Sequence, residues 1–250
     1  MSSATAYDEF AWFYDRYWAR PFQEWQSPIL DRLLLSALPR GATILDLCCG
    51  TGHLAASLIA KGFRVTGVDS SPGMLARAAV NAPEARFIHA SAAKFSLSSR
   101  AQAAVCTFDS VNHILSLPEI VQSFRNVHAA LEPPCLFLCD VNTREAYGEN
   151  WDKTWSAVES DHACFLRGAF DPQTMIGTTR ITMFRLHGEQ WRRSDVEVRQ
   201  RCYSVEEIRG ALTEAGFVDV KAWRPSEDAG LNGHFGTGRV YLLACANSAS

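Results

Sequence analysis

The spacing of apolar positions changes character along the chain, and each change marks a different kind of element. Tyr7, Phe10, Ala11, Tyr14 and Trp18 recur at helical spacing, so one helix with an aromatic stripe comes first. A second helix is expected after Pro21, with Phe22, Trp25, Ile29, Leu30, Leu33 and Leu34 facing inward. From residue 41 to 141, β-branched runs alternate with helical ones. Strands are expected near 43–48, 63–69, 85–89, 102–107 and 135–140, and helices near 53–61, 73–80 and 118–131. That alternation calls for a parallel sheet with right-handed crossovers. Residues 160–202 then break the rhythm with three strand-like segments, divided at Asp171–Thr174 and at His187–Gln190, which predicts an inserted antiparallel meander. Ser204 and Glu207 have the spacing of a capping box, opening a helix that stops at Gly216. Two last strands, about 217–224 and 239–246, flank a glycine-rich loop from Pro225 to Gly238.

Composition narrows the setting. A chain of 250 residues, 47% hydrophobic, buries one substantial α/β core, so one domain over 1–250 is expected. Its parts are a helical cap (1–40), a nucleotide-type core (41–150), the β insertion (160–202) and the rest of the sheet (203–250). A net charge of -3 and a pI near 6.2 argue against a polyanionic partner. Arg192, Arg193, Arg199 and Arg201 cluster locally, as one solvated strand face or an interface. No apolar run approaches the roughly 20 residues needed to cross a bilayer. The first residues, Met1-Ser-Ser-Ala-Thr-Ala, lack the charge and apolar centre of a signal peptide, so a cytoplasmic protein is expected. The eight cysteines show no zinc-type pairing and fall mostly within apolar runs; they read as reduced core residues, and no metal is expected.

The chemistry is concentrated in Ile44-Leu45-Asp46-Leu47-Cys48-Cys49-Gly50-Thr51-Gly52-His53-Leu54. It reads as a buried strand ending in an acidic residue, then a tight glycine turn and a helix start. Alternate glycines let backbone approach a ligand closely, and the first helical amides can meet it. Gly50-x-Gly52-x-x-Ala55 also fits the dinucleotide fingerprint, which makes an NAD(P)-dependent oxidoreductase the first rival. Asp46 separates the two readings, because a carboxylate there repels a pyrophosphate and attracts an ammonium or sulfonium group. A second strand-like run, 63–69, ends in Asp69 about 20 residues past the loop, where a nucleotide fold places its ribose acceptor. Ser71 and Pro72 then look like an N-cap and first helical position.

With these residues in place, the segment resembles motif I of class I S-adenosylmethionine-dependent methyltransferases, usually a run like LDLGCGTG, with Cys48 standing at the first glycine. The resemblance covers nearly the whole chain, including the aromatic helix at 7–15 and Phe108-Asp-Ser-Val-Asn-His113. The meander is shared with small-molecule members, particularly aminosugar N,N-dimethyltransferases. It implies a Rossmann-like, doubly wound, seven-stranded α/β sheet with its last strand antiparallel. It also implies S-adenosylmethionine as cofactor, S-adenosylhomocysteine as product, and methyl transfer to N or O of a small molecule by in-line displacement.

The resemblance implies cofactor contacts from Tyr14, Trp18, Asp46, Cys48, Gly50, Gly52, Asp69, Ser70, Met74 and Phe108, with Ser91 and Ala92 where the family places a Gly-Asp pair at the adenine. His113 is the residue expected to orient or deprotonate the nucleophile, with a structural hydrogen bond as the alternative. Asp109 either holds a substrate ammonium or caps the helix entered at Ser110. Tyr14 is expected to fold over the reactants, whereas core packing is the stronger reading for Tyr7 and Phe10. Asn142 and Thr143 share the rim as substrate contacts or turn residues. The Asn/Asp-Pro-Pro-Tyr/Phe run of base-amino methyltransferases is missing after strand four, so nucleic acid is not the expected substrate. A homodimer through the meander, and a cofactor-binding module without catalysis, stay open.

Overall fold

The computed structural model describes residues 3–229 and 235–246. Helix α1 (Ser3–Tyr14) runs through a π-helical turn, Asp15–Ala19, straight into α2 (Arg20–Leu33). Pro21 does not divide two helices as expected; it stands at the start of α2, directly after the π-helical turn. The alternating region then gives β1 (Thr43–Leu47), α3 (His53–Ala60), β2 (Arg64–Asp69), α4 (Pro72–Asn81), β3 (Arg86–His89), β4 (Ala101–Cys106), α5 (Leu117–Ala130) and β5 (Leu131–Asn142). Ser71 caps α4 as its sequence suggests, its hydroxyl accepting the Met74 N–H at 3.1 Å.

Helix α6 (Arg144–Asn150) leads to a second sheet of β6 (Thr154–Val158), β7 (His162–Asp171), β8 (Ile176–His187) and β9 (Gln190–Arg201). It has four strands where three were expected, β6 lying upstream of the anticipated boundary. Helix α7 (Val205–Glu214) opens on the full Ser204–Glu207 capping box, and β10 (Val218–Trp223), α8 (Pro225–Ala229) and β11 (Arg239–Ala246) follow. Residues 230–234 of the expected glycine-rich loop lie outside the described residues.

The main sheet has the order β10-β11-β5-β4-β1-β2-β3, with β11 antiparallel to both its neighbours. Strand order reverses between β1 and β4, so the loops after them open the crevice where such sheets bind ligands. Both faces are covered, as a largely parallel sheet requires. Helices α5 and α7 bury Phe124, Ile208 and Leu212 on one face, while α2 and α3 bury Ile29, Leu30 and Leu58 on the other. The stripe of α1 packs Phe10 and Phe13 against Cys164, Ile181, Met183 and Val196 of the second sheet. This places α1 as a wall between the two sheets. Arg193 is exposed on β9 but ion-paired to Asp195, and Glu197 pairs with Arg180, so the basic cluster is a partly neutralised strand face. Among the described residues no helix is long and apolar enough to cross a membrane.

Candidate active site

The loop after β1 is built from left-handed residues: Cys48 (φ 57°), Gly50 (φ 53°) and Gly52 (φ 79°). Cys48 carries a side chain where the motif normally has none, at a cost of roughly 1–2 kcal/mol for the left-handed conformation. Gly52 is required by packing, since a Cβ there would lie 2.9 Å from the Ala78 Cα of α4. The turn aims the Gly50 N–H at Asp69, donating to Oδ2 at 2.9 Å, while the Ser71 N–H donates to Oδ1 at 2.9 Å. Burial raises the Asp69 pKa, and these amides oppose the shift by favouring the carboxylate.

Outside the carboxyl ends of β1, β2 and β4 lies a cavity of about 340 Å³. Cys48, Gly50, Asp69, Ser70, Ser71 and Met74 line its nucleotide side. Tyr7, Phe10, Tyr14 and Trp18 of the N-terminal helix close it, and Trp155, Leu166, Thr179, Ile181 and Val198 of the second sheet form the far wall. The cavity is thus walled jointly by the main sheet, the aromatic stripe and the meander.

A smaller chamber of about 40 Å³ adjoins it, sharing Tyr14, Cys48 and Phe108. Three buried polar atoms of its lining residues have no hydrogen-bond partner: Asp46 Oδ2, Thr51 Oγ1 and Gln26 Oε1. Burial, and then the charge of Asp69, push the Asp46 carboxyl up to about 8. Unpaired buried acceptors carry a desolvation penalty of about 1–3 kcal/mol each, which a multi-donor cation relieves. These three oxygens, all able to accept a hydrogen bond, fit the ammonium of a bound amino acid group, the end of S-adenosylmethionine that Asp46 was expected to attract, and the Asp46 carboxylate would repel a diphosphate.

The loop after β4 turns a tighter corner. Phe108 (φ 63°) and Asp109 (φ 51°) are successive non-glycine residues in the left-handed region, and Ser110–His113 then forms a short 3₁₀ turn. Such residues cost of order 1–3 kcal/mol each and persist only where the surroundings over-determine them. Here the Asp109 N–H donates to Asp140 Oδ1 at 2.8 Å. Arg239 donates from Nη2 to Asp109 Oδ1 at 2.8 Å and from Nη1 to Asp140 Oδ2 at 2.5 Å. Gln200 Nε2 donates to Asp109 Oδ2 at 2.5 Å. Burial works against the Arg239 charge, but Asp140 and Asp109 hold it protonated. The Asp109 side chain therefore does not cap the turn, and its charge is already matched by the Arg239 guanidinium rather than left open to a substrate ammonium.

Gln200 links this corner to His113. Its oxygen accepts from the Tyr147 hydroxyl at 3.3 Å, which orients the amide, and its Nε2 donates to His113 Nε2 at 2.6 Å. Burial lowers the His113 pKa and so favours the neutral imidazole. The Tyr7 hydroxyl lies 3.1 Å from the same Nε2.

Most of the sequence-expected residues converge on these two cavities: Tyr14, Trp18, Cys48, Gly50, Asp69, Ser70, Met74, Phe108, Asp109 and His113 line the larger, and Asp46 and Gly52 the smaller. Ser91 and Ala92 follow β3 but line neither. Tyr7 and Phe10, read as core, also face the large cavity, as does Asn142, whereas Thr143 bonds Gly238. Sequence reasoning missed Arg239, Gln200 and Asp140. The available signal was a charged or amide side chain inside an otherwise apolar or alternating strand.

Comparison with known proteins fits this geometry. Residues 44–134 match the Methyltransferase domain family. The chain is 27% identical over 217 residues to the putative methyltransferase YqeM of Bacillus subtilis, covering 84% of this chain and 86% of that protein. Over 95 residues, 38% of this chain and 37% of the relative, it is 33% identical to a dTDP-3-amino-3,6-dideoxy-α-D-glucopyranose N,N-dimethyltransferase of Streptomyces fradiae. In structure it resembles an S-adenosylmethionine-dependent methyltransferase from Clostridium acetobutylicum, with a TM-score of 0.75 at 22% identity over 97% of this chain and 99% of that one. The oxidoreductase alternative finds no support in these relatives.

Proposed function

We propose that this chain, an S-adenosylmethionine-dependent methyltransferase of small molecules, methylates the nitrogen of an amine that it takes up as the free base. The observation that carries this reading is the commitment of the cavity's carboxylates. Asp109 gives its oxygens to Arg239 and Gln200, and Asp69 gives its oxygens to the Gly50 and Ser71 amides. Among the described lining residues no other carboxylate is present to serve as counter-ion for a substrate ammonium. What meets the acceptor is neutral His113 and the aromatic wall of Tyr7, Trp18 and Trp155.

In this reading Asp69 takes the ribose hydroxyls through its remaining lone pairs, with Ser70 and Met74 alongside. Asp46, Thr51 and Gln26 take the ammonium, Cys48 and Gly50 supply close backbone, and Ser91 and Ala92 meet the adenine edge. The cofactor supplies a methyl group on a sulfonium, whose positive charge disappears on transfer. Tyr14, Trp18 and Phe108 enclose that charge with ring faces. Gln200 Nε2 and the Tyr7 hydroxyl both approach His113 Nε2, so an amine that displaces them from its one lone pair is aligned by its own N–H. Alignment supplies on the order of 7–11 kcal/mol, against about 10²–10⁴-fold for a general base, so positioning dominates. The aminosugar dimethyltransferase among the relatives supports an amine on a polar ring as acceptor.

The test is methyl transfer from labelled S-adenosylmethionine to a panel of amino sugars, other amines and phenols, read by mass spectrometry. An N-methylated amine is expected, with kcat/KM rising with pH along the acceptor's own titration. Products confined to phenols would overturn the choice of nitrogen.

The same proposal takes 1–250 as one cytoplasmic methyltransferase domain that does not act on nucleic acid. It also pairs two copies through the second sheet, whose outer face exposes Val158 (68%) and Trp191 (51%). Sedimentation of the wild type and of Trp191→Glu decides the pairing: a monomeric wild type removes it.

A further inference from the structure

The geometry points to Arg239, with Asp140, as a positioning device for methyl transfer: together they fix the left-handed corner at Phe108 and Asp109 and, through it, the groups that face the reacting atoms. This rests on the methyltransferase reading. The bonds made by the Arg239 guanidinium all end on the corner, its support or the neighbouring loop. Nη2 goes to the Asp109 carboxylate, Nη1 to Asp140, and Nε to the Phe235 carbonyl at 2.7 Å. The guanidinium carbon lies 4.9 Å from the centre of the Phe22 ring and 5.8 Å from that of Phe108. Those two rings stack in parallel, 3.8 Å apart, and Phe108 meets Tyr14 at 5.8 Å on the cavity side.

Stability alone does not account for this arrangement. Two buried acids share one buried guanidinium, and well-packed apolar side chains commonly replace such groups without loss. What apolar side chains cannot do is fork across two acids, one on a strand and one on the loop after β4, and so hold a backbone amide. Asp140 belongs to β5 and Arg239 to β11, which pair antiparallel with Arg239 opposite Asn142. That pairing brings three distant segments to one point. Asp109 passes the constraint on, since Gln200 bridges its carboxylate to His113. Arg239 thereby sets the ring of Phe108 and the imidazole of His113 at once.

The experiment uses the full-length protein as wild type, Arg239→Lys and Asp140→Asn. Lysine keeps the charge but cannot fork; asparagine keeps the shape and the acceptor for the Asp109 N–H but loses the charge. Hydrogen–deuterium exchange without ligand should rise on the order of tenfold in the 107–113 segment of each variant and stay unchanged at 44–52. S-adenosylhomocysteine affinity by titration calorimetry should stay within about threefold, while kcat with an amine that the panel shows to be methylated falls about 30-fold or more at nearly constant cofactor KM. Unchanged exchange at 107–113 overturns the proposal, as does equal loss of S-adenosylhomocysteine affinity and turnover. Should Arg239→Lys fail to fold, Asp140→Asn carries the same comparison. A wild type that does not bind S-adenosylhomocysteine defeats the methyltransferase reading instead, and the exchange measurement still decides the corner.

Discussion

Two buried acids, Asp46 and Asp140, stand near the carboxyl ends of β1 and β5, and their surroundings are opposite. Asp46 has an oxygen with no partner, beside two other unpartnered polar atoms, whereas both oxygens of Asp140 are bonded and Arg239 binds it together with Asp109. A protein tolerates the first arrangement where a ligand completes it, and the second where the ligand's neighbours must not move. The contrast separates binding from positioning without reference to any motif.

Several substitutions probe that contrast. Arg239→Met strands two buried carboxylates, so a loss of about 3–5 kcal/mol is expected in urea melts; a loss below about 1 kcal/mol would show the network to be slack. Asp46→Asn acts in the opposite sense. The carboxyl titrates near 8 in the folded chain against 3.8 ordinarily, so the folded state holds the extra proton between these values. Stability of the ligand-free protein should therefore fall as pH rises from about 4 to about 8, by several kcal/mol. The Asp46→Asn substitution should erase that slope, leaving the variant the more stable form above about pH 8 while it binds S-adenosylmethionine more weakly. Calorimetry in buffers of different ionisation enthalpy should also reveal proton release on cofactor binding to the wild type alone.

Asp69→Ala is expected to weaken S-adenosylhomocysteine binding by roughly 1.5–3 kcal/mol, the range for hydrogen bonds to a charged group. Unchanged affinity would remove Asp69 from the site. The smallest effect is Cys48→Gly: relief of the left-handed strain should raise the melting temperature slightly, by up to about 1 kcal/mol of stability, after the extra chain entropy of glycine is deducted.

The nucleotide half was legible because its chemistry is local. Asp46, Gly50, Gly52, Asp69 and the Ser71 cap lie within one β-α-β unit, and their meaning follows from strand ends and turns a few residues apart. The cap and corner were not. Arg239 and Asp109 are 130 residues apart in sequence and meet only because β11 inserts antiparallel beside β5. Gln200 reaches the corner from a different sheet. Strand β6 is hidden in the sequence because polar Asp152 and Lys153 precede it and polar Thr154 opens it, and α6 because Gly148 interrupts its helix formers. Tyr7 and Phe10 read as core packing since periodicity tells which face of a helix is apolar, and says nothing about whether that face meets protein or ligand.

Cys48 also gives the protein a reporter of its own. Cys48 is one of only two among the eight cysteines that are not buried, and it sits where the large cavity and the small chamber meet. A small alkylating reagent will therefore mark that sulfur at a rate that falls as the crevice fills, and peptide mass mapping will tell it from Cys245. Occupancy can then be followed by footprinting, before any acceptor is in hand.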